Sequence, residues 1–269
     1  MNNLYRELAP ISGAAWAQIE QEATRTLKRH LAARRVVDVP EPKGPGLAAV
    51  GTGHMESIEG PAEDVLATRR LAKALVELRV PFTLSRRAID AAERGATDSD
   101  WSALKEAARK IAFAEDRAVF DGYAAGGIEG IRPGASNQSL ALPSTAAGYP
   151  AAVAKAVHQL RLAGVNGPYR LVLGAEPYAA ASGGNEEGYP VLQHIQRLVN
   201  EEIIFAPAIA GAFVLTTRGG DFELHLGQDV SIGYLRHDDK NVTLYLQETM
   251  TFLLLTTEAA VALKPAGRK

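Results

Sequence analysis

The 269-residue sequence predicts an α+β protein. Three observations carry that prediction. First, between residues 213 and 255 apolar side chains alternate with polar ones, through Phe222, Leu224 and Leu226 and again through Val242, Leu244 and Leu246. A period of two marks antiparallel strands with one buried face. Second, apolar residues upstream recur every three or four positions, the mark of amphipathic helices. Third, glycine and proline clusters cut these patterns into discrete elements.

In chain order, residues 12–33 read as a helix with Ser12 as N-cap and Trp16, Ile19, Ala23, Leu27 and Leu31 as its apolar stripe. The breaker-rich segment 39–46 ends any regular structure there. Residues 47–72 are weakly patterned and too poor in apolar residues to close a core. They read as an extended hairpin that packs on another subunit. Val76, Leu78, Val80, Phe82 and Leu84 alternate as a strand, and Pro81 argues against a central place in its sheet. A short helix runs from Ser85 to Gly95, and the longest helix covers roughly 100–124, about 37 Å. Residues 131–147 are loop-like. A second α/β region follows: a helix over 150–163, a strand over 169–173, short helices over 176–181 and 190–199, and strands at 203–205 and 212–216. Between the two short helices lies an exposed acidic glycine loop, 182–189. The last residues are too short and polar to order themselves.

Composition excludes several functions. Twenty-nine basic against 31 acidic residues leave a net charge of −2, which speaks against a nucleic-acid protein. Cysteine is absent, so disulfides, thiolate catalysis and cysteine-based metal sites are out. Neither a bilayer-length apolar run nor a signal layout is visible, and a cytoplasmic protein is expected. The six histidines lack ligand spacing, and no metal site is expected. Ser102 and Lys105 match S-x-x-K without its partner motifs. Asp90 and Glu93 lie one helical turn apart, as on many surface helices. The basic run Arg25, Lys28, Arg29, Arg34 and Arg35 reads either as a solvated face or as a docking surface for an acidic partner or peptide.

Several segments in order resemble one family, the encapsulins. They are MNNLYRELAP with Trp16 and Ile19, RRVVDV at 34–39, ELRVPFTLSR at 77–86, ERG at 93–95, FAEDRAVFDGY at 113–123, GPY at 167–169 and the strand block 213–255. The likeness is greatest to the actinobacterial, linocin-like group. It implies the HK97 phage-capsid-like fold. Residues 1–45 would be the N-terminal luminal helix and the start of the peripheral domain, and 46–75 the extended loop. Residues 76–130 would be the peripheral domain with its long strut helix, 131–221 the axial domain, and 222–269 peripheral strands and tail. It also implies a non-catalytic icosahedral shell, of sixty copies in the simplest case. The cargo would be a dye-decolourising peroxidase or a ferritin-like protein carrying a C-terminal targeting peptide, for oxidative-stress defence or iron storage.

Carried over to this chain, the peptide groove falls on Leu27, Leu31, Arg34, Val36, Val37 and Asp38, with Val230, Ile232 and Tyr234 opposite. Arg34 and Asp38 would orient the peptide. Gly184, Asn185, Glu186 and Glu187 would line a fivefold pore. Some members stack a flavin on a tryptophan where this chain has Arg87, so no flavin site carries over. No cofactor is expected, and haem or iron would belong to the cargo. A peptidase or bacteriocin-like enzyme and a phage capsid protein remain the alternatives.

Overall fold

The computed structural model describes residues 3–186 and 188–265. The elements in order are helix α1 (Gly13–His30), strands β1 (Ala49–Ile58), β2 (Ala67–Ala74) and β3 (Val76–Ser85), helices α2 (Arg86–Glu93), α3 (Ser102–Phe120) and α4 (Ile131–Gly134), and strand β4 (Leu140–Leu142). Then come α5 (Tyr149–Leu162), β5 (Tyr169–Leu173), α6 (Ala175–Gly183), β6 (Asn185–Glu186), β7 (Tyr189–Pro190), α7 (Val191–Val199), β8 (Ile204–Phe205) and β9 (Ala212–Thr216). Strands β10 (Phe222–Leu226), β11 (Ser231–His237), β12 (Asn241–Leu254) and β13 (Ala260–Pro265) close the chain.

Local chemistry sets the helix ends. The Ser12 side chain accepts a hydrogen bond from the Ala15 N–H at 3.3 Å, and Ser85 accepts from Ala88 at 3.1 Å, so both residues cap as their sequence positions suggest. The strut helix α3 is shorter than the sequence pattern predicts. Its 19 residues span about 28 Å. Asp100 takes the Ser102 N–H at its start. At its end Gly122 adopts φ +88°, and a Cβ there would lie 2.3 Å from the Glu129 carbonyl oxygen. The chain therefore turns back at Gly122 instead of adding another helical turn.

Strand β12 is the axis of the first sheet. Met250 pairs with both Val76 and Leu226, and Leu244 with both Phe82 and Tyr234. Thus β3 runs along one edge, while β10 and β11 follow each other along the other. Pro81 faces Tyr245 at a non-hydrogen-bonded position of edge strand β3, where its missing N–H interrupts no ladder bond. Helices α1, α2 and α3 cover one face. There Ile19, Ala23, Leu104, Ala108 and Ile111 meet Phe82, Leu84, Ile232, Leu244 and Leu246.

The second sheet has the order β4-β13-β9-β5-β8. Its alternate residues serve two cores. Leu171, Leu173, Val214 and Val261 face α5 and α7, while Val172, Phe213, Leu215 and Ala260 face the end of α3 and β10. This corrects two expectations. Residues 222–265 do not form one structural segment, because β13 pairs antiparallel with β9 and parallel with β4 inside the second sheet. The loop-like stretch 131–147 supplies β4 to the same sheet. The reason is that Ala260, Val261, Ala262 and Leu263 are apolar on both faces and fully or nearly fully buried, which suits an interior strand.

Between α1 and β3 in the chain, β1 and β2 form a two-stranded ribbon with most side chains exposed.

Candidate functional site

Helix α1 ends at Leu31, whose N–H donates to the Leu27 carbonyl at 2.9 Å. The chain then turns sharply through 32–36, and a buried carboxylate makes that turn possible. Asp116 Oδ1 accepts the Ala32 and Ala33 N–H groups at 3.0 and 2.8 Å. The turn aims Arg34 at three acids. Its Nε lies 2.9 Å from both Glu115 oxygens, its Nη1 2.8 Å from Asp229 Oδ1, and its Nη2 3.3 Å from Glu248 Oε2. Arg34 thereby ties the end of α1 to α3, to β12 and to the segment entering β11.

The electrostatics are unusual, since Glu115, Asp116 and Glu248 are all fully buried around one cation. Burial pushes the Asp116 carboxyl up to about 7, against the opposing pull of the Ala33 and Ala32 amides. Burial, followed by the charge of neighbouring Glu115, holds Glu248 well above the ordinary carboxylate range. Burial works against the Arg34 charge, but the Glu115 hydrogen bond and charge outweigh it and raise its pKa. Burial therefore favours the neutral form of Asp116 and Glu248, which lessens the negative charge that the one arginine has to balance.

The structure distributes the nine residues of the expected peptide groove unevenly. Leu27, Val230 and Tyr234 are half-buried and pack against the core cluster that contains Ile232. Leu31 is half-buried at the end of α1. Val36 and Val37 turn the other way, into the core with Phe222 and Leu224. Asp38 is exposed, its Oδ2 accepting the Gly220 N–H at 2.6 Å, and its backbone pairs with Phe222 and Leu224. The cavity of about 300 Å³ beside residues 34–38 is lined on its far side by Pro168, Arg170 and Thr217, not by β11. Arg34 and Asp38 thus already have internal partners. The N-terminal segment wraps the outer edge of β11: the Tyr234 N–H donates to the Leu4 carbonyl at 2.8 Å, and Tyr245 donates to Asn3. Arg6 pairs with Glu20 and lies 4.2 Å over the Trp16 ring.

Of the expected pore residues, Gly184, Asn185 and Glu186 precede and form a small β6–β7 hairpin, and Glu187 lies outside the described residues. The Glu186 carboxylate is 2.7 Å from His194 Nδ1 on α7. A Cβ at Gly184 would meet the Ala146 side chain at 2.7 Å, which accounts for glycine there. The acids of the Arg34 cluster are the site residues that sequence reading missed. Their signal was Glu115 on the apolar face of α3.

Two comparisons of fold agree on the class. The chain superposes on a virus-like particle subunit from Pyrococcus furiosus with a TM-score of 0.67 at 15% identity, over 93% of this chain and 99% of that one. A chain from Mycobacterium phage Cain aligns with a TM-score of 0.55 at 13% identity, over 98% and 94%. The fold is therefore the HK97-like capsid fold. The chain belongs to the Linocin_M18 family, described as encapsulating protein for peroxidase, which matches residues 1–251. A relative from Mycolicibacterium paratuberculosis is 61% identical over 98% of this chain and 99% of its own length, and one from Rhodococcus erythropolis is 58% identical over 98% and 100%. Both are named Type 1 encapsulin shell protein. The chain is accordingly a shell component and not an enzyme.

Proposed function

We propose that sixty copies close into an icosahedral compartment in the cytoplasm. It would hold a dye-decolourising peroxidase or a ferritin-like protein by a C-terminal targeting peptide, for oxidative-stress defence or iron storage. The observation that carries the docking site is the strip of half-buried apolar side chains, Leu27 and Leu31 beside Val230 and Tyr234, at the junction of α1 and β11. The family description, with its peroxidase, favours the peroxidase over the ferritin-like protein. A relative from Kuenenia stuttgartiensis, 26% identical over 84% of this chain and 66% of its own, is named a diheme-cytochrome-encapsulin shell fusion protein. Joining a redox protein to a shell subunit is compatible with redox cargo here.

In this reading the peptide buries one or two aliphatic anchors in the strip, each contributing roughly 1.5–3 kcal/mol. Val36 and Val37 act from behind as core, and Arg34 holds the floor of the site together while its Asp229 partner stands at the rim. The test is Leu31→Asp in full-length shells. Cargo content, read by mass spectrometry of purified particles, is expected to fall at least tenfold while particle number and diameter stay unchanged. Undiminished cargo in intact Leu31→Asp particles would remove the strip as the docking site.

A further inference from the structure

Helices α1 and α3 pack side by side and flank a cleft of about 370 Å³ with a strongly basic wall. Arg25, Arg29 and His30 line it from α1, and Lys105 and Arg109 from α3. The two acids in the cleft are already engaged. Glu22 pairs with Arg25 at 2.5 Å and with Lys105 at 3.7 Å, and Glu106 pairs with Arg109 at 2.8 Å. Arg29 has no acidic partner among the described residues. The His30 Nδ1 is enclosed and also lacks a hydrogen-bond partner, although enclosed polar atoms are almost always paired. Phe113 fixes two of these groups together. The His30 ring stands edge-on to it with centroids 5.5 Å apart, and the Arg109 guanidinium lies 5.2 Å from its centre.

Helix-end chemistry explains only half of this wall. Cations suit the last turn of α1, which holds Lys28, Arg29 and His30. The first turn of α3 has the opposite preference, yet it contains no acid, and Lys105 lies at its end. The positive field acts inside the cleft: burial, then the charges of Arg109 and Arg29, push the His30 imidazole below its ordinary range. We propose that the cleft binds a doubly charged oxyanion, a phosphate or sulfate group, held by Arg29 and Arg109 and hydrogen-bonded by the His30 Nδ1–H. Such an anion offsets the mutual repulsion of the cations and gives the enclosed Nδ1 its acceptor. Guanidinium groups suit it because their N–H groups form a fork that matches oxyanion geometry. The cleft has room for roughly ten waters, so the anion enters with part of its hydration shell. None of the lining residues belongs to the apolar strip, so this site stands apart from the docking reading above.

The test is equilibrium dialysis of the purified full-length protein against radiolabelled sulfate at low ionic strength. Sulfate stays a dianion between about pH 5 and 8, the range in which an ordinary histidine titrates, so any pH dependence belongs to the protein. One saturable site per subunit is expected. Its affinity should rise about fivefold from about pH 7.5 to about pH 5.5, because the bound anion favours the imidazolium form of His30 against the pull of Arg29 and Arg109. Arg29→Gln is expected to weaken binding about tenfold, the value of one charge-assisted hydrogen bond. His30→Gln should leave a weaker site whose affinity no longer changes with pH. Light scattering checks that both variants assemble as the parent does. Inorganic phosphate and adenosine monophosphate, each competed against sulfate, distinguish the sources: equal affinities mark a free anion, and tighter binding of the ester marks a phosphorylated small molecule. Absence of a saturable site, or equal sulfate affinity in the parent and Arg29→Gln, would overturn the proposal. A pH dependence that survives His30→Gln would overturn the contact to His30.

Discussion

Replacing Arg34 with methionine is expected to destabilise the folded subunit by about 3–5 kcal/mol, the range for removing one partner of a buried ion pair. Methionine keeps most of the aliphatic stem but leaves Glu115 and Glu248 fully buried without their cation. Chemical denaturation of dissociated subunits measures the loss, and few intact particles should be recovered. Adding Glu115→Gln and Glu248→Gln removes the two buried acids left without their cation and is expected to restore part of the stability. If Arg34→Met alone unfolds within about 1 kcal/mol of the parent, the cluster contributes no more than an exposed pair would.

The same cluster carries a pH dependence. The Asp116 carboxyl stands at about 7 when folded against roughly 3.9 in an unfolded chain. Between those values the folded chain holds a proton that the unfolded chain has released, so this contribution to stability is greatest at the acid end and is lost as pH rises toward 7. Asp116→Asn keeps an oxygen for the Ala32 and Ala33 amides and has no proton to release. Its denaturation midpoints at about pH 5 and pH 7.5 are expected to differ less than the parent's. An unchanged slope would place the titration elsewhere.

Removing most of the β1–β2 ribbon, by joining residue 53 to residue 71 through a short Gly-Ser turn, is expected to abolish shells and leave a folded subunit. The ribbon pairs mainly with itself, and a two-stranded ribbon is marginal alone in water. Its tip exposes Leu66 at 99% and also Val65, Met55 and Ile58, an apolar group that needs a neighbouring copy to cover it. Light scattering should report small species, and circular dichroism should keep the signature of the remaining helices and sheets. Normal particles from the deleted chain would show that the ribbon is dispensable for assembly.

Much of the fold was legible because it rests on local periodicity. Strand β3, with its alternation and its Pro81, and helices α1 and α2, with Ser12 and Ser85 as caps, follow from rules that act within a few residues. What escaped depends on contacts far apart in sequence. Nothing near β13 says that Ala260–Leu263 crosses to a strand some 48 positions earlier. Val36 and Val37 look alike whether they line a groove or fill a core, and β10 decides which. Glu115 and Asp116 sit in a helix whose sequence shows the acids but not that Arg34, 81 residues away, folds onto them. Family likeness suggested where a docking region would lie, while the internal pairing of Arg34 came only from the arrangement in space.

The central claim is that this chain builds a closed container. Cryo-electron microscopy of the purified full-length protein tests it most directly. The account predicts hollow icosahedral particles of uniform diameter, formed without any other protein. A population that remains a monomer of 28.7 kDa or a small oligomer under mild conditions, with no closed particle at any concentration, would contradict it.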